Sequence, residues 1–317
     1  MVNRPPLPIL LDVDTGIDDA LALLYAHLSP ELQLLGVTTC FGNGDLSITT
    51  RNTLSVLELA GSDAPVHPGA ATPLADWSGA PAEAFHGQNG LGGAVIPDAT
   101  RAPEIEPAAE YLVRMANERP GELTLVAVAR LTNVAVALSL DPAFVRKLRG
   151  LYVMGGAAFV SGNVTAAAEA NIWGDPEAAH KAFHAGGDIT MVGLDVTHQA
   201  LFTDDDLAGV DPRWPYAGLL REALEFYLRA YNPKIPKGAR TAPLHDPLAV
   251  MLAETPDLAR GDRYAVSVER AGTLTRGATV VDARPYSPEE KNVRVPLKLD
   301  VARFRRRFLS RLGWRLS

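Results

Sequence analysis

The stretch LLDVDTGIDDALALL, residues 10–24, crowds four carboxylates together: Asp12, Asp14, Asp18 and Asp19. Asp12 and Asp14 stand two apart at the end of an apolar run, so as strand residues they are expected to share a face. Asp18 and Asp19 fall where a helix begins, and there the helix dipole favours negative charge. Crowded carboxylates repel, and some must take up protons unless a cation neutralises them. With no Cys or His in the cluster, an all-oxygen site favours a hard cation, Ca²⁺ or Mg²⁺. The same residues also fit a plainer arrangement, in which Asp18 and Asp19 only cap a helix and Asp12 packs against a turn.

The elements that must position these acids alternate along the chain. Residues 8–13 form a short Leu/Ile-rich run bounded by prolines, which reads as a buried strand. Residues 18–28 follow with helical spacing, then a strand over 32–39 and a helix over 47–60. The pattern continues as strand 123–128, helix 131–139, strand 150–154, helix 175–184 and strand 188–193. Such alternation predicts a mostly parallel, Rossmann-like α/β sheet with helices on both faces. Ligand sites in such sheets lie beyond the carboxyl ends of the strands, where these acids fall.

Two long segments interrupt the alternation, 73–100 around His86 and 232–246 leading into His245 and Asp246. Loops of that length inside a compact domain are usually lids or disordered. Between them lies an aromatic-studded helix over 215–231, with Tyr227 and Tyr231 on one face. Strand-like stretches at 263–268, 277–282 and 293–299 add an antiparallel part. The basic tail (Arg303, Arg305, Arg306, Arg307, Arg311 and Arg315) reads as the solvated face of a terminal helix whose other face carries Phe304, Phe308 and Leu312. Neither a repeat nor a composition break divides the chain, so one domain over 1–317 is expected.

Composition narrows the class. The 317 residues are 47% hydrophobic, enough for a sizeable core. A net charge of −7 argues against general affinity for nucleic-acid backbones. Cys40 is the single cysteine, which fits a reducing compartment. The opening residues lack signal-peptide character, and no run approaches the roughly 20 apolar residues that span a bilayer. A cytoplasmic protein without membrane partners is expected.

The acidic opening resembles that of the inosine-uridine-preferring nucleoside hydrolases. The resemblance continues through TTCFGN (38–43), HGQNGLG (86–92), LTN (131–133), VMGGA (153–157), GNVTAAAEAN (162–171), WGDPEAA (173–179), GLDVTH (193–198) and LHDPLAV (244–250). These occur in the family's order over roughly residues 8–250. The resemblance implies a Ca²⁺ held by Asp14, Asp19, the backbone carbonyl of Thr132 and Asp246. It implies that Asp18 and Asn43 meet the 2′- and 3′-hydroxyls of a ribose, and that Asn163, Glu169 and Asn171 grip its 3′/5′ side. Met154 would line the sugar pocket, while His86 and His245 would face the base; Tyr227 and Tyr231 join the substrate-binding set. A homodimer or homotetramer is also implied.

Residue chemistry agrees with that assignment. Amides and carboxylates orient sugar hydroxyls, and Ca²⁺ tolerates irregular shells of oxygen ligands. Asp14 would deprotonate a calcium-held water that attacks C1′ with inversion. Carboxylates would stabilise an oxocarbenium-like sugar, and His245 would serve as acid to the leaving base. In the family that the chain resembles, a histidine at this place often accompanies pyrimidine or broad ribonucleoside use, so the resemblance implies that preference here. The chain departs from the family pattern at Thr15, Asn89, Ala129-Arg130 and Ala170, none of them an expected ligand side chain. Two other readings compete. A Mg²⁺ phosphatase of the haloacid-dehalogenase type also opens with DxD but wants Thr or Val where Gly16 stands. A non-catalytic nucleoside or ribose sensor of the same fold would have no need to keep Asp14.

Overall fold

The computed structural model describes residues 5–75 and 83–314. Part of the loop over 73–100, with Pro81, and Arg315 of the basic tail lie outside the described residues.

The first apolar run forms β1, Leu7–Val13, whose residues from Ile9 onward are buried, as befits a strand covered on both faces. Beside it run β2 (Leu32–Thr39) and the short β3 (Val66–Pro68) on one side. On the other side lie β4 (Thr124–Ala127), β5 (Gly150–Met154) and β6 (Ile189–Val192). A small separate ribbon pairs β7 (Leu201–Thr203) with β8 (Thr241–Pro243). The chain then adds β9 (Ala259–Val268), β10 (Thr279–Asp282) and β11 (Val293–Leu299). The main sheet runs β10-β9-β11-β6-β5-β4-β1-β2-β3. All pairings from β3 through to β11 are parallel, and β9 and β10 join antiparallel. This is the mostly parallel sheet with an antiparallel addition that the sequence pattern predicts.

The order 3-2-1-4-5-6 has a consequence for the site. After β1 the chain turns toward β2; after β4 it turns toward β5, on the opposite side. The loops beyond Val13 and Ala127 therefore part, and a crevice opens between them at the strands' carboxyl ends. Residues 14–16 and 128–131 form its lips.

Helix boundaries fall within a residue or two of expectation for Ile17–Leu28, Leu46–Ala60, Thr132–Leu140, Pro176–Phe183 and Ala217–Tyr231. Among the elements that escape the alternation are β3, too short to show a period; the helix Ala108–Glu118; and the helix His245–Glu254. That last helix is buried on nearly every side, so it shows no amphipathic stripe to read. The expected loop 232–246 thus ends in β8 and the start of a core helix.

The terminal helix Val301–Arg311 buries Phe304 and Phe308. Its arginines pair within the chain: Arg303 with Asp257 (2.8 Å), Arg305 with Asp206 (2.7 Å) and Arg307 with Glu254 (2.8 Å). Among the described residues no helix is long and apolar enough to cross a membrane.

Asn133 ties three strand ends together behind the crevice. Its amide nitrogen donates to Asp12 Oδ1 (2.7 Å) and the Thr39 carbonyl (2.9 Å), and its oxygen accepts from Ala70 N (2.8 Å). Asn133→Ala strips buried partners from all three strands and is expected to cost about 3 kcal/mol. Denaturant unfolding followed by circular dichroism measures this; a loss under about 1 kcal/mol would contradict the tie.

Candidate active site

Two helices begin at the crevice and deliver acids to it. Ile17–Leu28 brings Asp18 and Asp19 in its first turn, and His245–Glu254 brings Asp246. Single carboxylate oxygens of Asp18, Asp19 and Asp246 all lie within 4.8 Å of one another. Asp19 is held by backbone: Oδ1 accepts from Asp14 N (3.1 Å) and Oδ2 from Gly16 N (2.9 Å), while Asn43 Nδ2 also donates to Oδ2 (3.0 Å). Asp14 lies alongside, and its Oδ2 accepts from Asn43 N (2.8 Å) and Arg130 Nη1 (2.6 Å).

Burial pushes every one of these acids upward, and shared negative charge adds to it at Asp14, Asp18 and Asp246. Asp18 rises to about 8, through desolvation first and the Asp19 charge second. Asp14 is raised by burial and by Asp19, against the pull of Arg130. Asp246 is raised by burial and by the charges of Asp18, Asp19 and Asp14, and Asp19 by burial. The upward push is the electrostatic cost that a divalent cation offsets. A donor set of carboxylate oxygens without sulfur or imidazole suits a hard ion. The residues fit a metal site, with Asp18 inside the three-carboxylate cluster and Asp14 at its side.

Asp12 does not belong to this group. It is buried in β1, where its Oδ1 accepts from Thr38 Oγ1 (2.6 Å) and Asn133 Nδ2. β1 ends at Val13, so Asp14 belongs to the turn, and the two carboxylates take different partners.

Above the acids lies a cavity of about 360 Å³. Asp18, Asn43, Met154, Asn163, Glu169, Asn171 and Asp246 line it together with His86, Tyr227, Tyr231 and His245. Eleven of the fourteen residues that the resemblance implies thus line one cavity; Asp14, Asp19 and Thr132 are not among its lining residues. Thr132 is buried at the start of its helix, its hydroxyl donating to Asp175 Oδ2 (2.7 Å).

Glu169 is buried and caps the short helix Ala170–Gly174, accepting from Gly156 N and Asn171 N (3.0 Å each). The Asn171 side chain donates to the carbonyls of Val128 (2.7 Å) and Met154 (3.1 Å), which fixes it across the ends of β4 and β5. Asn163 is exposed at the rim, where its Oδ1 accepts from Ala170 N (3.0 Å).

The opposite side is aromatic. His86 Nδ1 accepts from Ile17 N (3.1 Å), and its ring lies 5.9 Å from that of Tyr227. His245 is held at both nitrogens: Nδ1 by Thr197 Oγ1 (2.8 Å) and Nε2 by Tyr231 OH (3.1 Å). Burial pushes both imidazoles down to about 3, helped by Arg130 at His86 and by His198 at His245, so both are neutral at pH 7. Sequence reasoning missed Phe85, Val164 and Trp173, which also line the cavity. Apolar residues carry no chemical signature, although Trp173 opens the WGDPEAA motif. Arg130 stood out only as a departure from a pattern.

The profile of the inosine-uridine preferring nucleoside hydrolase family matches residues 9–306. The chain belongs to that family, and it is an enzyme. It is 40% identical over 276 residues to uridine nucleosidase 1 of Arabidopsis thaliana, covering 86% of this chain and 81% of that one. It is also 40% identical over 299 residues to a pyrimidine-specific ribonucleoside hydrolase of Shewanella woodyi, covering 94% and 95%. Among solved structures, a plant nucleoside hydrolase superposes with a TM-score of 0.90 at 36% identity, covering 97% of this chain and 99% of the other. The phosphatase alternative falls with this membership.

If the buried acids gather around a divalent cation, that cation stabilises the folded chain. At about 100 times its dissociation constant it should add about 2.7 kcal/mol, or about 4 °C in melting midpoint for a chain of this size. A chelator should reverse the rise, and Asp246→Asn should flatten it. Identical melting curves with and without divalent ions would contradict the metal site.

Proposed function

We propose that this chain hydrolyses the N-glycosidic bond of ribonucleosides to ribose and free base, with Ca²⁺ as its metal and pyrimidine or broad base preference. The observation that carries this reading is one cavity with an acidic floor, an amide-rich side and an aromatic, histidine-bearing side. A ribonucleoside has a matching division: a polar sugar with vicinal hydroxyls and a flat apolar base. The uridine and pyrimidine specificity in the names of two relatives supports the base preference.

Asp14, Asp19, Asp246 and the Thr132 carbonyl would hold the Ca²⁺. When bound, the ion would neutralise the cluster, help orient the sugar diol and acidify a nearby water. Asp18 and Asn43 bind the 2′- and 3′-hydroxyls, and Glu169, Asn171 and the rim residue Asn163 hold the 3′/5′ side. Met154 packs beneath the ring.

Asp14 takes the proton from the attacking water. Its Oδ2 is already engaged by Asn43 N and Arg130, so Oδ1 is the accepting atom. Attack on C1′ from the floor, opposite the base, inverts the anomeric centre. As positive charge builds on the sugar, the surrounding carboxylates stabilise it. His245, neutral but carrying one ring proton, shares that proton with the departing base as negative charge develops there. Thr197 fixes the ring at Nδ1, and Nε2 gives up its contact with Tyr231 OH to reach the base, while Tyr227 and His86 border the base.

Asp14→Ala is expected to lower kcat by at least ~10²–10⁴, the range for a lost general base. Free ribose measured across a panel of ribonucleosides, with and without a chelator, gives the central test. Release that is untouched by exhaustive chelation would sink the metal-assisted reading. A 2′-deoxynucleoside should react far more slowly than its ribo counterpart. Proton NMR should find α-ribose as the first-formed sugar from a β-nucleoside.

A further inference from the structure

Among the described residues lining the cavity, Arg130 is the only lysine or arginine. Its side chain is 9% exposed, and its Nη1 contacts Asp14 Oδ2 at 2.6 Å. Its Nε has no hydrogen-bond partner among the described residues. The guanidinium lies 5.4 Å from the centre of the Phe41 ring, and a Cβ on Gly42 or Gly174 would overlap it. Two glycines thus leave room for a buried cation paired with the Asp14 carboxylate of the site. Its positive charge is also felt at Glu169 and His86, on two other walls of the cavity.

A buried guanidinium depends on its counter-charge, and removing one member of such a pair strongly destabilises the other. The acid cluster depends equally on positive charge. We propose that Arg130 is the internal counter-ion of the acid cluster, a positioning residue that holds Asp14 when no divalent ion is bound and weakens the hold on that ion by competing for Asp14. This rests on the metal site proposed above. A divalent ion approaching Asp14 meets a carboxylate already bonded to a cation, and the like charges repel across a poorly screened space. Affinity for the ion is therefore set lower than the carboxylates alone would give. In return, the chelated enzyme keeps its acids in place.

Calorimetric titration of chelated protein with Ca²⁺ tests this in wild type, R130M and R130K, alongside melting curves with and without calcium. R130M removes the charge at similar bulk and should bind Ca²⁺ at least ~10-fold more tightly. R130K keeps the charge and should stay close to wild type. Chelated R130M should melt below chelated wild type, with a larger calcium-induced rise in midpoint. R130Q, which keeps a donor but no charge, replaces R130M if circular dichroism shows that R130M is unfolded. Equal or weaker binding in the uncharged variant overturns the proposal, as does R130K binding as tightly as R130M. No saturable calcium heat in any of the proteins would overturn the metal site itself, and with it this role for Arg130.

Discussion

Four carboxylates gathered below the protein surface make one another costly to ionise, and much of this molecule is arranged to make that cost tolerable. Asp14, Asp18, Asp19 and Asp246 are each at most 4% exposed. Asp18, Asp19 and Asp246 sit in the first turns of two helices, where unpaired backbone amides and the helix dipole favour anions. Backbone N–H groups of Asp14, Gly16 and Asn43 point at carboxylate oxygens, and the Asn43 side chain adds another donor. The acids still remain pushed upward, so these dipoles do not complete the compensation. What remains calls for full positive charge.

The helices that carry these acids are fixed at their far ends as well. Ile17–Leu28 and His245–Glu254 pack side by side. Tyr25 on the first donates to Glu254 at the end of the second (2.6 Å), and Arg307 of the terminal helix closes on the same carboxylate (2.8 Å). Glu254 Oε2 thus takes a hydroxyl proton and a guanidinium at one end of the pair, while Asp19 and Asp246 meet at the other. The basic terminal helix therefore contributes to the active site by bracing it. Its role is intramolecular, as the amphipathic pattern of Phe304 and Phe308 against arginines suggests.

How much of this was legible in the sequence depends on what each residue has to satisfy. The acids at 14, 18 and 19 stand out because few other arrangements tolerate that spacing, and the strand before them sets where they lie. Asp12 stands out as strongly as the other acids in the sequence, yet it takes its partners inside the sheet. In the structure Asp12 serves Thr38 and Asn133, and a pairing across strands has no local signature. The helix starting at His245 was hidden by burial: with apolar residues on all sides it shows no period, and only the motif LHDPLAV marks it. Arg130 was visible as an oddity, but its salt bridge joins two loops that the sheet order brings together, and no local pattern announces such a contact.

The same contrast separates the two halves of the cavity. Its floor and sugar side stand on strand ends and helix starts. There Glu169 takes backbone amides and Asn171 reaches two carbonyls, so each residue type is demanded by a specific partner. The side proposed for the base is built from Phe85, His86, Val164 and the helix Ala217–Tyr231, where apolar packing joins the hydrogen bonds of His86 and Tyr231. Substituting one apolar side chain for another there changes the pocket's volume without breaking the fold. On the proposed reading, the sugar would meet residues each tied to a specific partner, whereas the base would meet residues held more by packing. A single chain accordingly declares its reaction far more clearly than its preferred nucleobase.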